Sequence, residues 1–103
     1  MVLTLNFSAY STTTDVVAES SISIYPNPVV YEANITLDKA IELLDNEVSL
    51  SFFSILGEEV HLIENIQNHK FTLSKDEFTK SGIFLYQLKV NGEVLKTGKI
   101  SIH

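Results

Sequence analysis

Three histidines are the residues of this chain best suited to holding a metal ion or moving a proton near neutral pH. They are His61, His69 and His103, and no His-Glu-x-x-His or Cys/His pattern surrounds them. The sequence contains no cysteine, which excludes thiolate metal sites, iron–sulfur clusters and cysteine nucleophiles. We therefore predict that the histidines pack or face solvent, and we predict no metal site.

Serines and paired carboxylates are the other residue types that could support catalysis. No serine lies in a Gly-x-Ser-x-Gly sequence. The pairs Glu58-Glu59 and Asp76-Glu77 fall in predicted turns, where solvated charge explains them better than general acid–base catalysis. The four glycines stand apart and form no phosphate-binding loop. The sequence thus predicts neither a catalytic residue nor a cofactor.

The charge of the chain limits its partners. Seven lysines, no arginine and 13 acidic residues give the 103-residue chain a net charge of −6. Nucleic-acid binding depends on basic clusters, and on arginine in particular, so this charge argues strongly against DNA or RNA as partners. An acidic surface is not attracted to anionic lipid, and no apolar run approaches the length of a transmembrane segment.

Alternating apolar and polar side chains predict an all-β domain. Residues 48–55 alternate most clearly, and Phe53 and Ile55 are expected to cover the opposite face at the end of that strand. Residues 83–90 and 94–102 form the strongest hairpin, because Asn91-Gly92 is typical of a two-residue type I′ turn. Turn signals recur along the chain and favour an antiparallel β-sandwich of about seven strands.

Shorter stretches give weaker predictions. The last strand should place Ile100 and Ile102 in the core and Lys99 in solvent, and Gly98 is expected to mark a bulge in it. Residues 38–47 form either one helical turn or a packed loop.

The stretch Tyr25-Pro26-Asn27-Pro28 is the strongest local constraint in the sequence. Its two prolines lack backbone N–H donors and fix two φ angles. The residue before each proline is pushed out of the helical region. Because residues 21–24 alternate as a strand, we expect a stiff, extended element at the start of a domain.

The first 20 residues are set apart by composition. Residues 3–9 alternate as a strand would, whereas residues 11–20 are small and polar, as in a linker. They are either the tail of an upstream cargo domain with its linker, or an edge strand of the same domain. The sequence therefore divides into residues 1–20 and a domain over residues 21–103.

Four sequence features stand in a fixed order along the chain. They are Ile24-Tyr25-Pro26-Asn27-Pro28, Ile55-Leu56-Gly57-Glu58-Glu59-Val60, Ser81-Gly82-Ile83-Phe84-Leu85-Tyr86 and Lys99-Ile100-Ser101-Ile102. Together they resemble the C-terminal sorting domain of the type IX (Por) secretion system, type A family, of Gram-negative Bacteroidota. The chain departs from the family pattern in the glutamate after the Gly57 turn and in the order Phe84-Leu85-Tyr86.

The resemblance implies an Ig-like antiparallel β-sandwich that is not an enzyme. Such a domain is fused to secreted cargo, is recognised by the secretion machinery in the periplasm and directs passage across the outer membrane. A cell-surface sortase then usually removes it, so the cargo is released or attached to the surface, often through anionic lipopolysaccharide.

The resemblance also assigns recognition residues by position. They are Tyr25, Pro26, Asn27, Pro28, Gly57, Gly82, Lys99, Ile100 and Ile102. The cleavage site would lie within residues 11–20. A terminal strand suits this role because it can offer its backbone edge to a partner. The alternative function is an Ig- or fibronectin-like accessory module that binds carbohydrate or protein at the cell surface.

Overall fold

The computed structural model describes residues 21–103, which form two layers of β-strands. The strands are β1 Ile22–Tyr25, β2 Glu32–Leu37, β3 Val48–Phe53, β4 Glu59–Ile63, β5 Lys70–Ser74, β6 Gly82–Val90 and β7 Glu93–Ile102. The strand predicted over residues 3–9 and the linker predicted over residues 11–20 lie outside the described residues. The division of the chain at residue 20 therefore stays a prediction.

These strands form two antiparallel sheets. One sheet has the order β1-β2-β5 and the other has the order β4-β3-β6-β7, with every neighbouring pair antiparallel. A three-stranded and a four-stranded sheet of this order correspond to an immunoglobulin-like sandwich. The predicted Ig-like antiparallel β-sandwich of about seven strands is confirmed.

The core lies between the sheets because each strand turns alternate apolar side chains inward. Leu50 of β3 and Leu88 of β6 are neighbours in register, and both are fully buried. Ile35 of β2 is equally buried in the other sheet. Phe52 meets Phe78 edge-to-face, with ring centroids 5.4 Å apart. This contact fixes the loop after β5 to the core.

Two connections complete the core. Residues 38–47 form a packed loop and no helical turn, with Ile41 and Leu43 buried and Leu44 88% exposed. A single 3₁₀ turn, Lys75–Glu77, follows β5. Within residues 21–103, these loops therefore contribute apolar side chains to the core without adding an α-helix.

The turn between β3 and β4 corrects one prediction. Ile55 covers no strand face and is 72% exposed, because β3 ends at Phe53 and the chain turns directly afterwards. The Gly57 N–H donates to the Ser54 carbonyl at 2.9 Å and closes this turn. The apolar residues at its tip, Ile55 and Leu56, consequently lie in solvent.

Gly98 corrects a second prediction, because it marks no bulge. It pairs in regular register with Tyr86, and the register of β6 against β7 shifts instead between Leu88 and Lys89. A glycine is needed at position 98 by a close approach, since an added Cβ atom would lie 2.8 Å from Cε2 of Tyr86. The Tyr86 ring thus covers β7, and burial raises the pKa of its hydroxyl.

Asn91 and Gly92 close the β6–β7 hairpin as the sequence predicts. Their φ angles are +54° and +84°, and a type I′ turn requires positive values at both central residues. The turn is also tied to the loop before β3, because the Asn91 N–H donates to the Glu47 carbonyl at 2.7 Å. In return, Oδ1 of Asn91 accepts from the Glu47 N–H at 2.8 Å. The type I′ turn is confirmed.

Replacing Gly92 by valine should lower the melting midpoint in circular dichroism. A β-branched residue held at positive φ costs about 1–3 kcal/mol, and each kcal/mol shifts the midpoint of a domain this size by roughly 4–8 °C. Glu93→Val is the matched control, because the next position belongs to β7 and a strand accepts valine. Equal midpoints for the two variants would contradict the turn assignment.

Candidate functional site: the terminal strand and its docked entry motif

The entry motif Tyr25-Pro26-Asn27-Pro28 carries the chain from one sheet to the other. β1 ends at Tyr25 in the three-stranded sheet, and the chain then bends over residues 26–28. Val29 next forms a parallel bridge with Ile102 of β7 in the four-stranded sheet. The two proline peptide bonds are cis. The prediction of a stiff, extended element is wrong for residues 26–28, which bend, and contacts with β7 set the path of the chain here.

The side chain of Asn27 takes the place of a partner strand for β7. Its Oδ1 accepts a hydrogen bond from the Ser101 N–H at 2.9 Å, and its Nδ2 donates to the Lys99 carbonyl at 3.4 Å. A carboxamide offers both acceptor and donor groups, as a peptide unit does. It can therefore continue a β-ladder between two prolines, whose own backbone nitrogens have no hydrogen to donate.

Val29 continues the same edge with its backbone. Its N–H donates to the Ser101 carbonyl at 2.7 Å, and its carbonyl accepts from the His103 N–H at 2.8 Å. Its side chain is fully buried. The edge of β7 from Lys99 to His103 is thus occupied by the chain itself. The expectation that the terminal strand offers a free backbone edge is wrong for this stretch.

The predicted recognition residues on β1 and β7 differ in exposure. Tyr25 is 74% exposed and Lys99 is also exposed, whereas Ile100 and Ile102 are 0% and 3% exposed. The alternation predicted for the last strand is confirmed. A partner cannot contact the two isoleucine side chains while the domain is folded, so these residues hold β7 on the sandwich.

The two predicted turn glycines lie in different places. Gly82 begins β6 and pairs with Ile102, so it lies beside the end of the terminal strand. Gly57 lies in the β3–β4 turn, distant in sequence from β7, but it lines the same surface groove as Lys99. The structure therefore brings the entry motif, Gly82 and residues 99–102 together along β7. Gly57 does not contact this group directly, but it lines the same groove as Lys99.

This groove, with a volume of about 530 Å³, lies on the outer face of the four-stranded sheet. Register places Phe53, Leu85 and Lys99 in one row across β3, β6 and β7. Gln87 and Thr97 face each other in the next row. All five residues line the groove, so its walls are two rows of side chains and it opens to solvent.

Sequence reasoning missed three participants in this site. Leu85 follows Phe84 directly, and such a break in alternation is the signal that the outer face also carries an apolar side chain. Ser101 bonds to Asn27 and Val29 only through its backbone groups. Its residue type therefore does not indicate in the sequence that it belongs to the site. Val29 gives no signal either, because its partner strand lies at the other end of the sequence.

The histidines in the strands and loops have packing roles. His61 stacks on Phe52 with ring centroids 5.9 Å apart, and its Nδ1 lies 3.7 Å from a carboxylate oxygen of Glu77. Nε2 of His69 lies 2.8 Å from the Ile41 carbonyl oxygen. In the described part of the chain, no group of three or more His, Cys, Asp or Glu residues is arranged to hold a metal ion. No helix within residues 21–103 has the length and hydrophobicity to cross a membrane.

A two-layered Ig-like module, with its terminal strand covered by an entry motif, is the class of protein that this fold and site define. A family model described as the secretion system C-terminal sorting domain matches residues 23–103. The match spans most of the chain, and the chain belongs to this family. No curated protein matches the chain significantly.

Membership in this family confirms the resemblance to the type IX sorting domain and indicates the general role of the domain. Members of the family act as sorting signals and not as catalysts. Such a signal implies the type IX secretion machinery as a partner and a cargo protein to which the domain is fused. It also implies passage across the outer membrane to the cell surface or the extracellular space.

Replacing Asn27 by alanine should speed hydrogen exchange at the Ser101 amide and lower the free energy of unfolding by about 0.5–1.5 kcal/mol, the usual net contribution of a hydrogen bond. Asn27→Asp keeps an acceptor for Ser101 but loses the donor to Lys99, so its Ser101 amide should stay protected. Asn34→Ala, at an exposed position of β2, is the control in exchange measured by nuclear magnetic resonance. Unchanged Ser101 exchange in Asn27→Ala would contradict the edge contact.

Proposed function

We propose that this chain is the C-terminal sorting signal of a secreted cargo protein and that it performs no reaction of its own. The domain acts by being recognised in its folded form, after export to the periplasm of a bacterium of the Bacteroidota. The type IX machinery then moves the attached cargo across the outer membrane. The residues that serve recognition are Tyr25, Pro26, Asn27, Pro28, Gly57, Gly82, Lys99, Ile100 and Ile102.

The observation that best supports this proposal is the joining of the entry motif to the terminal strand. Asn27 and Val29 bond to β7 between Lys99 and His103, although more than 70 residues of sequence separate the two segments. The first and last of the four sequence features that resemble the family therefore meet on β7. A partner that binds this strand together with the entry motif therefore binds only the folded sandwich.

Five of the nine recognition residues fall into two groups in this proposal. Ile100, Ile102 and Asn27 act indirectly, because the two isoleucines fix β7 against the core and Asn27 joins it to the entry motif. Tyr25 and Lys99 are exposed, so a partner can contact their side chains directly.

We further propose that the domain is removed after secretion. The cleavage site lies within residues 11–20, whose small and polar composition suits a peptidase. A cell-surface sortase makes the cut and attaches the cargo to the surface or releases it.

A reporter fusion tests the sorting function. The 103-residue chain is joined to the C-terminus of a periplasmic reporter and expressed in a bacterium with a type IX system and in a mutant that lacks its translocon. We expect the reporter outside the outer membrane only in the first strain. Reporter that remains in the periplasm of both strains, although folded, would contradict the proposal.

A second function has one observation in its favour. Tyr25 and Tyr31 are 74% and 79% exposed, and exposed aromatic rings are what a carbohydrate-binding module uses to stack on sugars. A glycan array with the wild-type chain and the Tyr25→Ala and Tyr31→Ala variants tests this alternative. Binding that is lost in the variants would favour the accessory module over the sorting signal.

A further inference from the structure

The tip of the β6–β7 hairpin contains the one asparagine in the sequence that precedes a glycine. Asn91 is followed by Gly92, and both residues are exposed to solvent. In such a pair the backbone nitrogen of the glycine can attack the side-chain carbonyl carbon of the asparagine, because glycine has no side chain to hinder the approach. The residue pair that suits a type I′ turn is therefore also the pair most open to spontaneous deamidation.

This reaction uses water and transfers no electrons to another molecule. The Gly92 nitrogen loses its proton and bonds to Cγ of Asn91, while the bond from Cγ to Nδ2 breaks. Ammonia leaves with the two amide hydrogens and that proton, and a succinimide ring remains. Water then opens the ring. Attack of water at Cγ gives aspartate, and attack at the backbone carbonyl carbon gives isoaspartate, whose backbone runs through Cβ.

The folded turn keeps the two reacting atoms apart. Ring closure requires the Gly92 nitrogen to lie on the same side of the Asn91 Cα–C bond as Cβ, because the five-membered ring contains both atoms. The φ angles of +54° and +84° identify a type I′ turn, whose first central residue has a ψ angle of about +30°. At that angle the nitrogen lies almost opposite Cβ across this bond. The ring therefore cannot form until the turn opens.

Hydrogen bonds to the loop before β3 hold the turn closed. Oδ1 of Asn91 accepts from the Glu47 N–H at 2.8 Å, and the Asn91 N–H donates to the Glu47 carbonyl at 2.7 Å. Nδ2 of Asn91 donates to Oδ1 of Asn46 at 2.8 Å. Asn46 is in turn fixed by the bond from its own Nδ2 to the Glu42 carbonyl, also at 2.8 Å. The side chain that would react is thus held at both its oxygen and its nitrogen.

We propose that Asn91 is a site of spontaneous deamidation that the folded domain protects, with Asn46 and Glu47 as the residues that hold the turn closed. The chain keeps this asparagine while the hairpin tip stays closed and loses it once the tip opens. Isoaspartate adds a backbone atom to a two-residue turn, and the loop length of a hairpin fixes its register, so a chain that has reacted cannot re-form the same hairpin. The proposal does not depend on the sorting function.

The rate of deamidation in the purified 103-residue chain tests the proposal. Trypsin cuts after Lys89 and Lys96, so residues 90–96 form one peptide, in which chromatography with mass spectrometry separates asparagine, aspartate and isoaspartate. The folded chain should react at least roughly tenfold more slowly than the same chain in guanidinium chloride, because several hydrogen bonds must break first. Asn46→Ala removes one bond to Asn91 and should speed the reaction of the folded chain by roughly two- to tenfold.

Two control variants separate opening of the turn from other effects. Asn68→Ala makes the same change at an exposed position between β4 and β5, and it should leave the rate unchanged. Ile35→Ala weakens the core at a fully buried position of the other sheet, and it should also leave the rate unchanged while circular dichroism shows a folded domain. Ile35→Val takes its place if Ile35→Ala does not fold.

Four outcomes would overturn the proposal. The folded wild-type chain reacts as fast as the denatured chain, or neither of them reacts at this site. Asn46→Ala reacts at the wild-type rate, so that Asn46 does not hold the turn. The Ile35 variant reacts as fast as Asn46→Ala, which would show that the reaction follows unfolding of the whole domain and not opening of this turn.

Discussion

Leu88→Ala is expected to lower the free energy of unfolding by about 2–5 kcal/mol, the range for large-to-small changes at buried leucines. Leu88 is fully buried in β6 and lies next to Leu50 of β3, so its removal leaves a cavity that two sheets line. Leu50→Ala should cost a similar amount for the same reason. The measurement is urea unfolding followed by circular dichroism, with ΔG extrapolated to water.

Leu44→Ala is the control for this measurement, because it makes the same change at a side chain that is 88% exposed. Its free energy of unfolding should stay within about 0.5 kcal/mol of the wild-type value. A loss below about 1 kcal/mol in Leu88→Ala would show that this face of β6 does not form the core, contrary to the burial described.

Deleting Gly98–His103 should leave a fused reporter in the periplasm, with secretion reduced to the level of the translocon mutant. The deletion removes Ile100 and Ile102 from the core and removes the backbone groups that Asn27 and Val29 bind. The entry motif then has no strand to dock on, and the outer face loses Lys99. The measurement is reporter activity in the medium against activity in the periplasm.

The control for this deletion is Leu88→Ala in the same fusion, because it weakens the core but keeps the terminal strand intact. Its reporter should still reach the medium. If both variants are retained, loss of stability alone explains the result. If the deletion variant is secreted as well as the wild type, the terminal strand is not part of the signal.

Much of the sandwich follows from local patterns in the sequence. Alternation located the core side of the last strand, and Asn91-Gly92 specified the hairpin because only a type I′ turn uses that pair so readily. The histidines likewise lacked ligand spacing, and the structure shows His61 and His69 packed against neighbouring residues. These features depend on residues close together in the sequence, so they can be predicted from it.

The features that escaped prediction depend on contacts between distant segments. Proline rules describe Pro26 and Pro28 one residue at a time, and they do not reveal that the Asn27 amide bonds to β7. A glycine within a strand suggests a bulge, whereas Gly98 makes room for the Tyr86 ring. The groove was equally hidden, because the register of three strands brings its residues together.

The cover over the terminal strand also affects how copies of the chain behave at high concentration. An exposed strand edge is a template on which identical molecules stack and aggregate. Asn27 and Val29 already use the donors and acceptors of β7 near its end, so this margin cannot recruit a strand from another molecule. At high concentration the chain is thereby protected from self-association through this end of the β7 edge.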